Sequence, residues 1–273
     1  MRPFPFIAVD VGNARTKLGW FPVDGGDALP EPQRTLQLDD AAELARLGGW
    51  LEGAEAAAAQ AELAWWIGSV NRPMAARLVD WLREHRPHDP VTLLAADDLA
   101  LVVRLQRPDM VGVDRLINAV AANRIRRPDR AAVVIDVGTA ITVDLVSADG
   151  AFLGGAIVPG IGMSARAFHQ FTDLLPLIEM AELATPPPAL GTSTVPAMRS
   201  GLFWGAVGAI RELIAQLSRG LDAEPDVLLS GGAAPTVAEL LGRSAQHVPH
   251  LTLAGIALTA LARDTHDAAA EDT

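Results

Sequence analysis

The stretch VDVGNARTKLGWF, residues 9–21, returns in altered form as IDVGTAITVDLVS, residues 135–147. With residue 9 set against residue 135, the two share Asp, Val, Gly, Ala and Thr within their first eight positions. Each copy runs from an apolar segment to an Asp, reaches a Gly two residues later, and continues through a small polar residue (Asn13 or Thr139) into a second apolar segment. That is the pattern of strand, tight turn, strand, written twice. The repetition indicates a duplicated α/β protein, two similarly built domains with their related hairpins facing one another across a cleft.

Working outward, PFIAV and TKLGWF are the strands of the first hairpin, and PVDGGDALPEPQ (22–33) is a loop. The Ala-rich AEAAAAQAELA (54–64) is a good helix former, and LAWWI is a core strand holding Trp65 and Trp66. NRPMAARLVDWLREH is a helix with Met74, Leu78, Val79 and Leu82 on one face, and VTLL is a short strand. VDRLINAVAANRIRR is helical, with Leu116, Ile117, Val120 and Ala121 as its apolar stripe and Asp114 as its N-cap. RPDR (127–130) breaks the chain, which places the domain boundary between 1–128 and 129–273.

The second half repeats the plan. AAVVI, ITVDLV and FLGGAIV are strands, a helix follows PGIGM, and TPPPALGTST (185–194) is a loop. A long helix over VPAMRSGLFWGAVGAIRELIAQLS, the strand DVLLSGG and the helix TVAELLG come next. LTLAGIALTALA (251–262) reads as a packed helix, and the acidic tail DTHDAAAEDT as frayed. His169 has no His or Cys neighbour at ligand spacing and reads as a helix-surface or packing residue; Arg124, Arg126, Arg127 and Arg130 read as a solvated helix end.

Composition narrows the function. The 273 residues are half hydrophobic, enough for two cores. With 22 Lys and Arg against 33 Asp and Glu, the formal charge of −11 argues against nucleic acid or an anionic membrane as the main partner. There is no cysteine, hence neither a disulfide framework nor a thiolate metal site. No signal-peptide pattern and no apolar run of membrane-spanning length is present, so the expectation is a cytoplasmic protein.

The repeated turn carries the chemistry. Glycine lets backbone amides approach a ligand, and successive amides make a concavity for phosphate oxygens. An Asp at the rim is useful when Mg²⁺ bridges it to phosphate through water. A D-x-G-N/T sequence on its own is equally an ordinary hairpin turn. Asp114 is equally a helix cap or a base, and Arg115 a solvated residue or a clamp for a carboxylate.

DVGNARTK, GVDR (112–115), DVGTAITVD (136–144), GGAIVPG (154–160) and AMRSG (197–201), in this order, resemble the type III pantothenate kinases. That family belongs to the acetate kinase/sugar kinase/actin-like superfamily. The resemblance implies a duplicated actin-like (ribonuclease H-like) two-domain fold with an interdomain ATP cleft. It also implies phosphorylation of pantothenate, the first step towards coenzyme A, by a homodimer using ATP, Mg²⁺ and K⁺ or NH₄⁺.

Carried over residue by residue, Asp10, Val11, Gly12, Asn13, Ala14, Arg15, Thr16 and Lys17 form the first phosphate loop, with Asp10 also facing Mg²⁺ through water. Gly138 and Thr139 form the second, with Asp136 as the monovalent-cation ligand. Gly112, Val113, Asp114 and Arg115 bind pantothenate, with Asp114 as catalytic base, and Thr194 lines a substrate pocket at the dimer interface. The chain departs from the family pattern at Ala14 (commonly Thr or Ser), Val113 (usually Ala), Leu105 (often Tyr) and Thr192 (usually Lys). At this level a nucleotide-binding regulatory protein on the same scaffold, and a kinase of another small hydroxy-acid, remain open.

Overall fold

A computed structural model describes residues 5–22, 28–58, 63–179, 185–242 and 245–271. In the first half, β1 (Phe6–Val11), β2 (Thr16–Phe21) and β3 (Arg34–Leu38) are followed by α1 (Arg46–Ala58), β4 (Ala64–Ser69), α2 (Arg72–His85), β5 (Val91–Leu93) and α3 (Val113–Ile125). In the second, β6 (Ala132–Val137), β7 (Ala140–Val146) and β8 (Phe152–Pro159) precede α4 (Ile161–Phe171) and α5 (Thr194–Leu217). Then come β9 (Asp226–Ser230), α6 (Ala234–Leu241), β10 (Ala245–His247) and α7 (Leu251–Glu271).

The duplication is visible strand by strand. One sheet runs β3-β2-β1-β4-β5 and the other β8-β7-β6-β9-β10, so third, second, first, fourth and fifth strands take the same places in both. In each sheet the first three strands are antiparallel neighbours, and the fourth pairs parallel to the first. Sequence explains the centres. β1 and β6 are apolar on both faces and buried on both, as suits a strand covered by layers on either side.

The chain forms two compact units, and their division differs from the expected 1–128 and 129–273. Unit 1 comprises residues 1–102, 106–125 and 250–273; unit 2 comprises 103–105 and 126–249. The last helix of each half, α3 and α7, belongs to unit 1, where the two pack on each other and on β4. The cause is burial: Leu251, Leu253, Ala254, Ile256, Ala257 and Ala260 of α7 are almost wholly covered. Residues 103–105 go the other way. Val103 pairs with Phe152 beside β8, Arg104 N–H donates to Phe152 O at 2.9 Å, and Leu105 lies against Gly154.

Several local expectations are corrected. β3 and β10 lie at sheet edges, and neither was anticipated. The helix expected over 54–64 is helical to Ala58, Leu63 and Ala64 lead into β4, and 59–62 lie outside the described residues. The tail expected to fray continues α7 to Glu271. The arginines after α3 are fasteners rather than a solvated end. Arg126 Nη1 donates to the carbonyls of Arg127, Pro128 and Arg130, and Arg127 pairs with Asp226 at the start of β9. Burial alone would raise the Asp226 carboxyl, but hydrogen bonds from Arg127 outweigh it and hold the group below the usual carboxylate range.

Candidate functional site

The β1–β2 turn is a four-residue link, since Val11 pairs with Thr16. Gly12 N–H donates to Arg15 O at 3.0 Å, which closes the turn. Asn13, Ala14 and Arg15 stand exposed, Asp10 and Lys17 are half-buried opposite one another in register, and the Thr16 side chain is buried. The turn is fastened to the neighbouring helix by Asn71. Its Nδ2 donates to Gly12 O at 3.4 Å while its Oδ1 accepts from Met74 N–H at 3.2 Å, capping α2. Asn71 was missed on sequence, although an Asn two residues before a Pro in a helical pattern is an N-cap signal. A cavity of about 320 Å³ opens beside the turn, with Asn13, Arg15, Asp39, Asn71 and Arg77 in its wall.

The GVDR segment begins α3 in the same unit. The helix starts at Val113, so Asp114 is its second residue, not the N-cap expected. Asp114 Oδ1 accepts the Arg115 N–H at 2.8 Å. A Cβ on Gly112 would sit 2.6 Å from that oxygen, so residue 112 must be glycine for the carboxylate to occupy this place. Burial pushes the Asp114 carboxyl above its ordinary value, and the Arg115 amide and guanidinium offset part of the rise. Asp114 is thus a half-buried carboxylate held above its ordinary pKa with the Arg115 cation as its sequence neighbour. Ile117, one turn further, packs over Gly68, and Gly68 is the register partner of Asp10.

The second turn, in unit 2, is one residue shorter, because Val137 pairs with Ile141. The matching letters therefore drift out of register after the turn: Thr142, aligned with Thr16 by sequence, faces Asp136 as Lys17 faces Asp10. Backbone holds this turn. Gly138 N–H donates to Ala140 O, and Gly160 N–H to Thr139 O, both at 3.1 Å. A Cβ on Gly160 would overlap the carbonyls of Gly138 and Thr139. Gly231, in the left-handed region at φ +101°, would put a Cβ 2.5 Å from Asp136 Oδ1. Thus the half-buried carboxylate of Asp136 faces the backbone of Gly231, just after β9, while Gly160, the N-cap of α4, closes on the carbonyls of the turn itself.

Thr194 is the exposed first residue of α5, and Thr192 is exposed just before it. The preceding loop is pinned to that helix by Ser200 Oγ donating to Ala189 O at 2.6 Å and Trp204 Nε1 to Pro187 O at 3.0 Å. Phe203 and Trp204 serve unit 2 itself: Phe203 is 2 % exposed, and the two rings meet edge to face. His169 does pack locally, with Nδ1 3.2 Å from Leu175 O. Trp65 is wholly buried and donates to Asp89 at 2.9 Å.

Two sheets of the same strand order, each opened by an Asp-Val-Gly hairpin, define the class: the fold is that of the actin-like ATPases and sugar kinases. A solved structure of the activator of the 2-hydroxyisocaproyl-CoA dehydratase from Clostridium difficile, with bound ADPNP, superposes with a TM-score of 0.53 over 99% of this chain and 98% of its own, at 11% identity. The family profile of the type III pantothenate kinases matches residues 6–216. The chain is 38% identical over 242 residues to the type III pantothenate kinase of Paramagnetospirillum magneticum, covering 85% of this chain and 88% of that one. It is 35% identical over 254 residues to that of Anaeromyxobacter sp. strain K, covering 92% and 96%. The chain belongs to the type III pantothenate kinase family.

Proposed function

We propose that this chain transfers the γ-phosphate of ATP to the primary hydroxyl of pantothenate with Asp114 as the base. The family makes it a kinase that uses ATP to phosphorylate pantothenate, the first step of coenzyme A biosynthesis. The observation that carries the mechanism is the Asp114 carboxylate, seated where Gly112 leaves room and raised by burial. A hydroxyl is a poor nucleophile, and a carboxylate within hydrogen-bond reach orients it and takes its proton as the new P–O bond forms. Arg115 holds the substrate's own carboxylate, Val113 and Gly112 wall the site, and Thr194 completes it from a second subunit.

Each unit carries one turn suited to phosphate oxygens of ATP. Residues 10–17 supply the first, with Asp10 placed to accept a water of Mg²⁺; Gly138 and Thr139 supply the second. Among the described residues no three His, Cys, Asp or Glu side chains gather as a metal site. Asp136 is the monovalent-cation ligand in this reading, on the family resemblance, with carbonyl and phosphate oxygens as the further ligands. K⁺ or NH₄⁺ there would offset phosphate charge, and Mg²⁺ would neutralise charge on the transferred group.

The active species is a homodimer. Support comes from α4 and the segment after it, where Phe171 and Leu174 are 78% and 85% exposed, an apolar face of the kind that a second subunit covers. No helix among the described residues is long and apolar enough to cross a membrane. Coupled ADP release with and without pantothenate tests the reading. ADP should appear in proportion to pantothenate added; no release with pantothenate but release with a different hydroxy-acid would point to that substrate, and ATP binding without release with either would point to a regulatory binder. Light scattering at micromolar concentration should give a dimer, and a fully active monomer would contradict the shared site.

A further inference from the structure

We infer that the C-terminal helix α7 positions the base, through a buried hydrogen bond from Thr252 to Asn118 and a close approach at Gly255. The inference rests on Asp114 acting as the base. Asn118 lies one turn beyond Asp114 on α3, on the same helical face. Both partners are buried, at 3% and 7% exposure, and Thr252 Oγ1 donates to Asn118 Oδ1 at 2.9 Å. The apolar residues next to them on the two helices, Leu116, Ile117, Leu253 and Ile256, are all covered.

Apolar packing alone is non-directional and lets one helix slide or rotate on another. A buried polar pair is not so tolerant, because any other register leaves the Asn118 carboxamide without this partner. The neighbouring residue is gripped as well. A Cβ on Gly255 would overlap Ile117 O, and the Ile117 side chain fills the space over Gly68, 2.6 Å from where a Cβ there would lie. Gly68 is paired with Asp10. Residues 117 and 118 are thus fixed from α7 on one side and from the strand beside the first phosphate turn on the other. One helical turn separates them from the carboxylate. Asn118 and Thr252 touch no reacting atom in this scheme; they are positioning residues.

The test compares Thr252→Val, which keeps the shape and deletes the donor, with Thr252→Ser, which keeps the donor. Thr252→Val should lower kcat about five- to ten-fold, the scale of one lost hydrogen bond read as a rate. KM for ATP should hold, and the acid limb of kcat/KM for pantothenate should move to lower pH as the carboxylate gains solvent. Thr252→Ser should restore both. A Thr252→Val enzyme with a lowered melting temperature but unchanged kcat and acid limb, assayed where it is folded, would make the pair merely structural and overturn the inference. Thr252→Ala is the second variant should the valine one not fold. Failure of both to fold would assign the pair to folding and overturn it too. Asp114→Asn run alongside separates the two readings: normal turnover in that variant removes the base itself, whereas a dead Asp114→Asn with a normal Thr252→Val removes only the role of α7.

Discussion

The two hairpin turns begin with the same three residues, Asp-Val-Gly, on the same strand of matching sheets, yet they are held by different means. The first is a four-residue link with exposed side chains, tied to α2 by the Asn71 carboxamide. The second is shorter, and glycines 160 and 231 let backbone close on it from α4 and from β9. Duplication kept the strand order and the aspartate; the contacts around each turn diverged. A side-chain tie can be loosened without moving the backbone, whereas a turn closed by backbone contact has no slack. The second turn should therefore be the more brittle of the two.

Exchanging equivalent small changes between the turns is the sharpest way to break that comparison. Gly231→Ala places a Cβ against Asp136 in a left-handed backbone, and strain of this kind costs about 1–3 kcal/mol before any displacement of the carboxylate. ATP affinity by calorimetry should fall at least about ten-fold for each 1.4 kcal/mol lost from the site. Gly12→Ala meets only Arg15 O, at 3.0 Å, and should weaken ATP less. Equal effects would contradict the difference drawn between the turns.

The cation should belong to the second turn alone. Turnover in Na⁺ should be at least about ten-fold below that in K⁺, and Asp136→Ala should lose both the dependence and most of the rate. Asp10→Ala should slow the enzyme but keep the preference for K⁺. Equal rates of the parent enzyme in Na⁺ and K⁺ would remove the cation from the account.

The smallest effect is expected at Asn71→Ala, which removes a helix cap and the tie to the first turn together. A lost cap costs about 1 kcal/mol, which for a protein of this size lowers the melting temperature by roughly 2–4 °C. KM for ATP should rise modestly. A variant with unchanged ATP affinity would show that the first turn keeps its shape without the tie.

Much of this was legible in the chain. Apolar runs such as IAV and VVI mark the buried central strands, and the ordered motifs carried the family and its reaction. What was not legible is long-range. β3, RTLQL, has alternating exposure along a sheet edge, and β10 is three residues, AQH, with no apolar run to mark it. Nothing in LTLAGIALTALA says which unit will cover it, so the return of α7 to unit 1 emerges only from packing. Phe203 and Trp204 look the same in sequence whether they face a partner or their own core. Whether Asp114 caps α3 or lies within its first turn depends on one residue of helix boundary, which sequence patterns do not resolve.

Turnover and melting temperature of Asp114→Asn, followed together across pH, test the central claim most directly. Asparagine keeps the size and removes the charge. Because burial raises the folded-state carboxyl above its unfolded value, its contribution favours folding below the ordinary carboxylate pKa and is lost as pH rises through the raised one. At neutral pH the half-buried charge weighs on the fold, so Asp114→Asn should melt no lower than the parent, and any gain should vanish on acidification. Its kcat should fall by about 10²-fold or more, the lower range of general-base catalysis, while ATP binding persists. A well-folded Asp114→Asn enzyme with near-normal turnover would contradict the assignment of Asp114 as the base.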